Sequence, residues 1–335
     1  LRRWDIEIDD SAGLPLADTP PGLFLQLVAE MVAKNFAPVS TLAALKHPFA
    51  SCGSDRNVFR RQVRQWEFEA LRGPRPEPGL HGLIRSLPAD MKPERHADAV
   101  SLLQALEDAT GRFAAAMSGR DISVGKLLAA HISAAEALSA DPAADGESKL
   151  WAEEAGEALA EFIGELDQAA AVLGPIDPEF YPTLLSTLMS GRVVRPRYGR
   201  HPRLHIWGPL EARLQDADFL ILGGMNEGNW PRDPNPDPWL SRPMQTSFGL
   251  PLPERRIGLA AHDFATMVCA QKVLVTRSEK AGGSPTVPSR WLARLQAVLM
   301  ASGLDQLNHQ STKWLHWERA LDKPDGPRPI QPPAP

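Results

Sequence analysis

The chain has 335 residues, of which 43% are hydrophobic, which is enough to build two core-forming domains. Charged residues make up 23% and the net charge is −5, so no general basic excess advertises nucleic acid, and any such role must rest on a local patch. Cys52 and Cys269 form neither a CxxC pair nor a metal spacing, and no apolar run reaches membrane-spanning length, which argues against a disulfide scaffold, a zinc module or a membrane protein and fits the reducing cytoplasm.

The start, Leu1-Arg2-Arg3-Trp4-Asp5, lacks the pattern of a signal peptide and runs straight into predicted structure, as expected of a fragment. Ile6-Glu7-Ile8-Asp9 alternates like a short strand, and Asp10-Ser11-Ala12-Gly13 supplies turn chemistry. Thr19-Pro20-Pro21 reads as a helix start, with a hydroxyl cap and proline in the first turn. Leu23, Leu27, Val28, Met31 and Val32 follow at helical spacing, and a second helix fits Val39 to Leu45.

From about Asp55 to Met189 the pattern is helical throughout, without strand signals. Its amphipathic stretches include Ala99–Ala116, Val124–Leu138 and Leu150–Leu173. Near Arg203 the texture changes. Leu204–Trp207, Phe219–Leu222 and Lys272–Thr276 read as buried, parallel strands, with helices at Arg255–Val268 and Pro288–Met300. Pro324 to Pro335 is proline-dense and reads as a stiff linker. One opening strand cannot make a sheet alone, so the simplest organisation is an α/β domain interrupted by a helical one.

The stretch LHIWGPLEARLQDADFLILGGMNEGNWP, Leu204–Pro231, puts glycine and polar residues at the carboxyl ends of two strands, where α/β sheets place ligands. Glu254-Arg255-Arg256 then heads a helix, and a further strand ends in Thr276-Arg277. This order resembles the second motor lobe of UvrD/RecB-type helicases. The phrases WGPLEAR, ILGGMNEGNWP, DPWLSRPM, PERRIGLAAHDFA and PSRWLARL more closely resemble the AddB-type subunits of helicase–nucleases that repair double-strand breaks.

The resemblance implies an α/β, RecA-like second motor lobe with a P-loop NTPase-like parallel sheet, interrupted by a large all-helical insert. On that reading, residues 1–50 begin the lobe, 51–190 form the insert and 191–305 complete the lobe. Residues 306–335 form a terminal helix and a linker towards a nuclease domain. It further implies two partners: DNA, as single strands or break ends, and an AddA-type helicase–nuclease subunit. The family's iron–sulfur cluster and Mg would belong to that nuclease domain, so no cofactor is expected in this chain.

The motif positions implied by the resemblance are Trp207, Gly208, Leu210, Glu211, Glu227, Gly228, Arg255, Arg256 and Phe264. They depart from an active motor. In active relatives, an arginine in the helix after the ERR reaches the ATP γ-phosphate, a contact worth orders of magnitude in rate. Here Phe264 stands in its place, Trp207-Gly208-Pro209 replaces a lysine and small hydroxyl residues, and no G-x-x-x-x-G-K-[ST] loop occurs. No catalytic residue is assigned, and the expected role is a silent, helicase-like region that holds or reads DNA. The alternative is a module that docks the motor subunit without touching DNA.

Arg192, Arg195, Arg197, Arg200 and Arg203 fall in a stretch without acids, with Tyr198 and His201 interleaved, and are the candidate DNA contacts. Lys46-His47 and Arg60-Arg61-Arg64 are weaker candidates for DNA contact and read as ordinary helix faces. Trp230 and Trp239 read as loop-core anchors rather than base-stacking platforms, and His262-Asp263 reads as a structural histidine with its neighbour rather than an acid–base pair.

Overall fold

The computed structural model describes residues 6, 8–195, 201–233, 237–304 and 311–322. The chain divides into two compact units, Leu1–Trp207 and Gly208–Pro335.

The first unit opens with β1 (Asp9–Asp10) and β2 (Leu14–Pro15). Its helices are α1 (Pro20–Ala33), α2 (Pro38–Leu45), α3 (Arg56–Trp66), α4 (Leu80–Arg85) and α5 (Pro93–Met117). After β3 (Ile122–Ser123) come α6 (Val124–Ser139), α7 (Gly146–Leu150) and α8 (Glu153–Leu173). Then follow β4 (Pro175–Ile176), α9 (Tyr181–Ser190), β5 (Val193–Val194) and β6 (His205–Ile206).

α1 starts where its sequence says. Thr19 Oγ1 accepts from the Gly22 amide at 3.2 Å and donates to Leu16 O at 2.6 Å, so one hydroxyl caps the helix and ties it to the preceding turn. Phe24, Leu25, Val28, Ala29 and Met31 are fully buried, because α1 is packed on by α2, α5, α6, α8 and α9. Each large side chain of this kind contributes about 1.5–3 kcal/mol on burial.

The same core takes in Leu103, Leu106, Phe113, Leu127, Leu159, Tyr181 and Leu185, so the residues before 50 and the helical region share it. Within that helical region β3 pairs antiparallel with β4, a two-residue bridge that the periodicity did not announce.

Deep in this core, His131 Nε2 donates to Leu25 O at 2.9 Å, and its Nδ1 accepts from the Tyr181 hydroxyl at 3.0 Å. The ring stacks on Phe113 with centroids 4.8 Å apart. One imidazole thereby links α1, α5, α6 and α9.

After the helices the chain returns to its start. β2 pairs antiparallel with β5, Leu16 N donates to Arg192 O at 2.8 Å, and β1 pairs parallel with β6. The opening strand therefore sits at Asp9–Asp10 and shares only Asp9 with the predicted Ile6–Asp9, of which Glu7 lies outside the described residues; the Ser11 amide extends the pairing by donating to Ile206 O at 2.9 Å.

The second unit holds β7 (Leu220–Leu222), α10 (Arg242–Ser247), α11 (Pro253–Val268) and β8 (Val273–Val275). It continues with β9 (Lys280–Ala281), β10 (Ser284–Pro285), α12 (Arg290–Ala301) and α13 (Ser311–Asp322). β7 and β8 pair parallel, Leu220↔Val273 to Leu222↔Val275, with α11 between them in sequence: a β–α–β unit.

Leu222, Met225, Phe264, Trp291 and Leu292 form its core. Among the described residues the strands occur only as two-stranded pairs, and no larger parallel sheet forms. The expectation of buried strands is corrected: both residues of β6 are exposed, Ile206 at 45%, and Ile221 of β7 is 57% exposed, since an isolated pair of two or three residues per strand has too little neighbouring sheet to cover it.

Burial lowers the His131 pKa from 6.5 to about 4, against the Leu25 carbonyl bond, which raises it. The unfolded chain thus binds more protons between those values, and the stabilisation is complete above pH 6.5 and lost as the pH falls towards 4. Urea midpoints are expected to drop between pH 7 and pH 5, and more steeply for the native chain than for His131→Gln. Parallel pH profiles for the two would remove this role from His131.

Candidate functional site

The loop that leaves the carboxyl end of β7 turns back at once. Gly224 has φ +66 and Gly228 φ +85, values that favour glycine, so these are turn glycines. Met225 is fully buried; its amide donates to Thr276 O and its carbonyl accepts from the Ser289 amide, both at 2.9 Å.

The next residue, Asn226, is 6% exposed and satisfies its whole amide internally. Nδ2 donates to Ser278 O at 2.7 Å and Thr286 Oγ1 at 2.8 Å, while Oδ1 accepts from the Ser278 amide at 3.0 Å. One side chain therefore binds the loop after β7 to the segment after β8.

Glu227 is spent in the same way. Its carboxylate accepts from the Arg290 amide at 3.0 Å, from Arg290 Nε at 2.7 Å and from Arg290 Nη2. These bonds to the guanidinium hold the carboxyl below its ordinary range. The charge also sits at the first turn of α12, where the helix dipole favours it. Ser289 completes this terminus: its hydroxyl accepts from the Trp291 amide at 3.2 Å and donates to Trp230 O. Trp230 anchors the loop, with Nε1 donating to Gly223 O at 3.2 Å.

Phe264 is 7% exposed and lies in the core of the second unit beside Leu222, Met225 and Trp291. Its neighbour Asp263 is 6% exposed and accepts a two-pronged contact from Arg213, at 2.7 Å from Nε and 3.0 Å from Nη2. That bond raises the arginine pKa further. The pair fixes the turn after Glu211 to α11. Sequence reading left Asp263 structural without finding this partner, 50 residues away.

The remaining motif positions lie apart. Trp207 stacks on His205 at 5.2 Å in the first unit. In the second, Gly208 O accepts from the Ala212 amide at 2.9 Å, and Leu210 and Glu211 are exposed. Gly228 closes the loop after β7, and Arg255 and Arg256 are exposed on α11.

Of the arginine cluster, Arg197 and Arg200 lie outside the described residues. Arg203 is exposed, its amide donating to His201 Nδ1 at 3.2 Å. Arg192 has a counter-charge after all, an ion pair with Glu165 of α8. Arg195 lines a shallow pocket with Glu154, Glu157 and Glu161 of the same helix. A local absence of acids said nothing about the acids that α8 folds against the segment. Trp239 is also corrected. It is 86% exposed, because Asp237 Oδ1 accepts from the amides of Trp239 and Leu240 and turns the indole outward.

Among the described residues no group of three or more His, Cys, Asp or Glu side chains is arranged to hold a metal, and no helix is long and apolar enough to cross a membrane. No protein-family model matches the chain. It is similar to an uncharacterized protein of Rickettsia felis, 25% identical over 152 residues, which are 45% of this chain and 18% of that protein. It is also similar to an uncharacterized protein of Rickettsia conorii, 23% identical over 147 residues, 44% of this chain and 17% of that protein. The chain thus spans less than a fifth of the length of either relative.

Two substitutions check this architecture. Asn226→Ala is expected to destabilise the second unit by roughly 2 kcal/mol or more, because it strands buried partners. Phe264→Arg is expected to cost roughly 3 kcal/mol or more, against about 1 kcal/mol for Phe264→Leu. Urea unfolding followed by tryptophan fluorescence measures both; a stable Phe264→Arg protein would mean that the phenyl group is not a core element.

Proposed function

We propose that this chain is the helicase-like, catalytically silent region of an AddB-type subunit, part of a helicase–nuclease that processes DNA double-strand breaks for recombinational repair. It holds or reads DNA beside an AddA-type motor subunit, in the cytoplasm. The second unit then holds part of the remnant of a RecA-like motor lobe, which on this reading also takes in residues 1–50 and 191–207. Its β–α–β unit with a glycine turn at the carboxyl end of β7 supports that reading, together with the motif phrases from WGPLEAR to PSRWLARL.

The observation that carries the silent role is the internal use of the motif side chains. Glu227 is bound to Arg290, and Phe264 fills the core where a motor would hold an arginine. A carboxylate committed to a guanidinium and a helix terminus is not free for a nucleotide, and a phenyl ring cannot stabilise phosphoryl charge.

The alternative is a module that docks the motor without touching DNA. It draws support from the acids around Arg192 and Arg195, which lower the positive potential of the expected DNA contacts.

The purified chain is expected to show no ATP turnover above a mock preparation, with or without DNA, and Phe264→Arg is expected not to create any. Turnover that copurifies with the chain and disappears on Glu227→Ala would overturn the silent role.

A further inference from the structure

A basic surface of the first unit lies on α3. Between residues 46 and 72 the chain has six Lys or Arg and only three Asp or Glu, within a protein of net charge −5. All three acids are engaged. Asp55 caps α3 by accepting from the amides of Asn57 and Val58, Glu67 pairs with Lys46, and Glu69 pairs with Arg95.

α3 itself contains no acid. It buries Phe59, Val63 and Trp66, while Arg56, Arg61 and Arg64 are exposed and Arg60 is half-buried. Among the described residues none of these four arginines has an acidic partner within 4.0 Å. At 100° per residue they cover an arc of about 140° beside the buried face.

A second observation distinguishes this face from an ordinary solvated one. Arg56, Arg60, Arg64, Phe68 and Arg72 recur every four residues, the spacing of one surface ridge. The ridge runs from α3 into the π-helical segment Glu67–Leu71 that continues it. Phe68 on that ridge is 68% exposed, and the Arg72 guanidinium lies 5.3 Å from its ring centre. An exposed phenyl ring forgoes burial energy, and here it stands in line with Arg56, Arg60 and Arg64, none of which has a carboxylate within 4.0 Å among the described residues, while Arg72 beyond it pairs with Glu67 at 3.8 Å.

We infer that this ridge, with Arg61 beside it on the exposed face of α3, is a binding surface for single-stranded nucleic acid, with Arg56, Arg61 and Arg64 on phosphates and Phe68 stacked on a base. Arginine suits phosphate better than lysine does, because its planar fork donates two hydrogen bonds at once. An aromatic ring in a basic track is the usual platform for an unpaired base. A membrane surface would call for an apolar strip beside the basic one, whereas the solvent side of α3 adds Asn57, the half-buried Gln62 and Gln65, and a single apolar side chain, Val58. The inference stands on α3 and its neighbours and does not depend on the AddB-type reading.

The test is fluorescence anisotropy of a labelled single-stranded oligonucleotide with the full chain across a salt series. The triple variant Arg56→Ala, Arg61→Ala, Arg64→Ala is expected to flatten the slope of log Kd against log salt by about two, at roughly 0.7 per phosphate contact. The corresponding triple Lys variant, which reports on folding, is expected to keep the slope. Phe68→Ala is expected to weaken binding about tenfold at every salt concentration without changing the slope. An unchanged slope in the Ala variant overturns the inference, and so does equal or tighter binding to polyglutamate or to acidic phosphatidylserine vesicles with the same arginine dependence. If the chain binds but only Arg195→Ala, Arg197→Ala and Arg200→Ala together flatten the slope, the DNA-holding role stands and the α3 surface does not. If the native chain fails to bind at low salt, both fall.

Discussion

The second unit depends on one buried amide. Asn226 has a donor and an acceptor at the turn after β7, and the partners that satisfy them belong to the segment after β8. Unpaired in the core, each of those polar groups would cost a large fraction of a small unit's stability, so the turn and the returning segment must close together. Everything adjacent follows from that closure. Met225 is drawn into the core, Glu227 is delivered to the first turn of α12, and Trp230 is brought back over Gly223.

Such closure has a chemical consequence. A ligand site needs side chains whose hydrogen-bonding capacity is left over once the fold has been satisfied. Around the loop after β7 the capacity of Asn226, Glu227 and Ser289 is used within the protein. The loop after β7 is thereby held rigid by its own side chains. Phe264 fits the same logic, since it adds apolar contact to the core of the second unit.

The two arginine-rich surfaces show how tertiary context sorts similar sequences. Both lack acids locally. The segment around Arg192 and Arg195 folds against the glutamate-bearing face of α8, so its charge is partly neutralised. α3 instead packs through Phe59, Val63 and Trp66 while Lys46 and Arg95 occupy the nearby carboxylates, and its arginines are left to solvent. Field strength at a surface depends on what the fold brings near, which composition along the chain does not report.

By itself, the sequence announced the helical stretches and the start of α1, although α5 begins at Pro93 rather than Ala99 and the stretch Leu150–Leu173 breaks after α7. Apolar spacing of 3.6 and the Thr19-Pro20-Pro21 cap are local signals, and local signals are sufficient to nucleate and stop a helix. It also announced the apolar runs that became β7 and β8, because each needs only its own backbone chemistry. What it could not determine was which distant groups would meet. His131 finds Tyr181 50 residues away, Arg213 finds Asp263, and Glu227 finds Arg290 across 63 residues. Those contacts are selected by packing, which costs chain entropy and is repaid only when the whole core closes, so no window of sequence contains them. Whether a charged residue serves the fold or a partner was therefore decided by the tertiary structure alone.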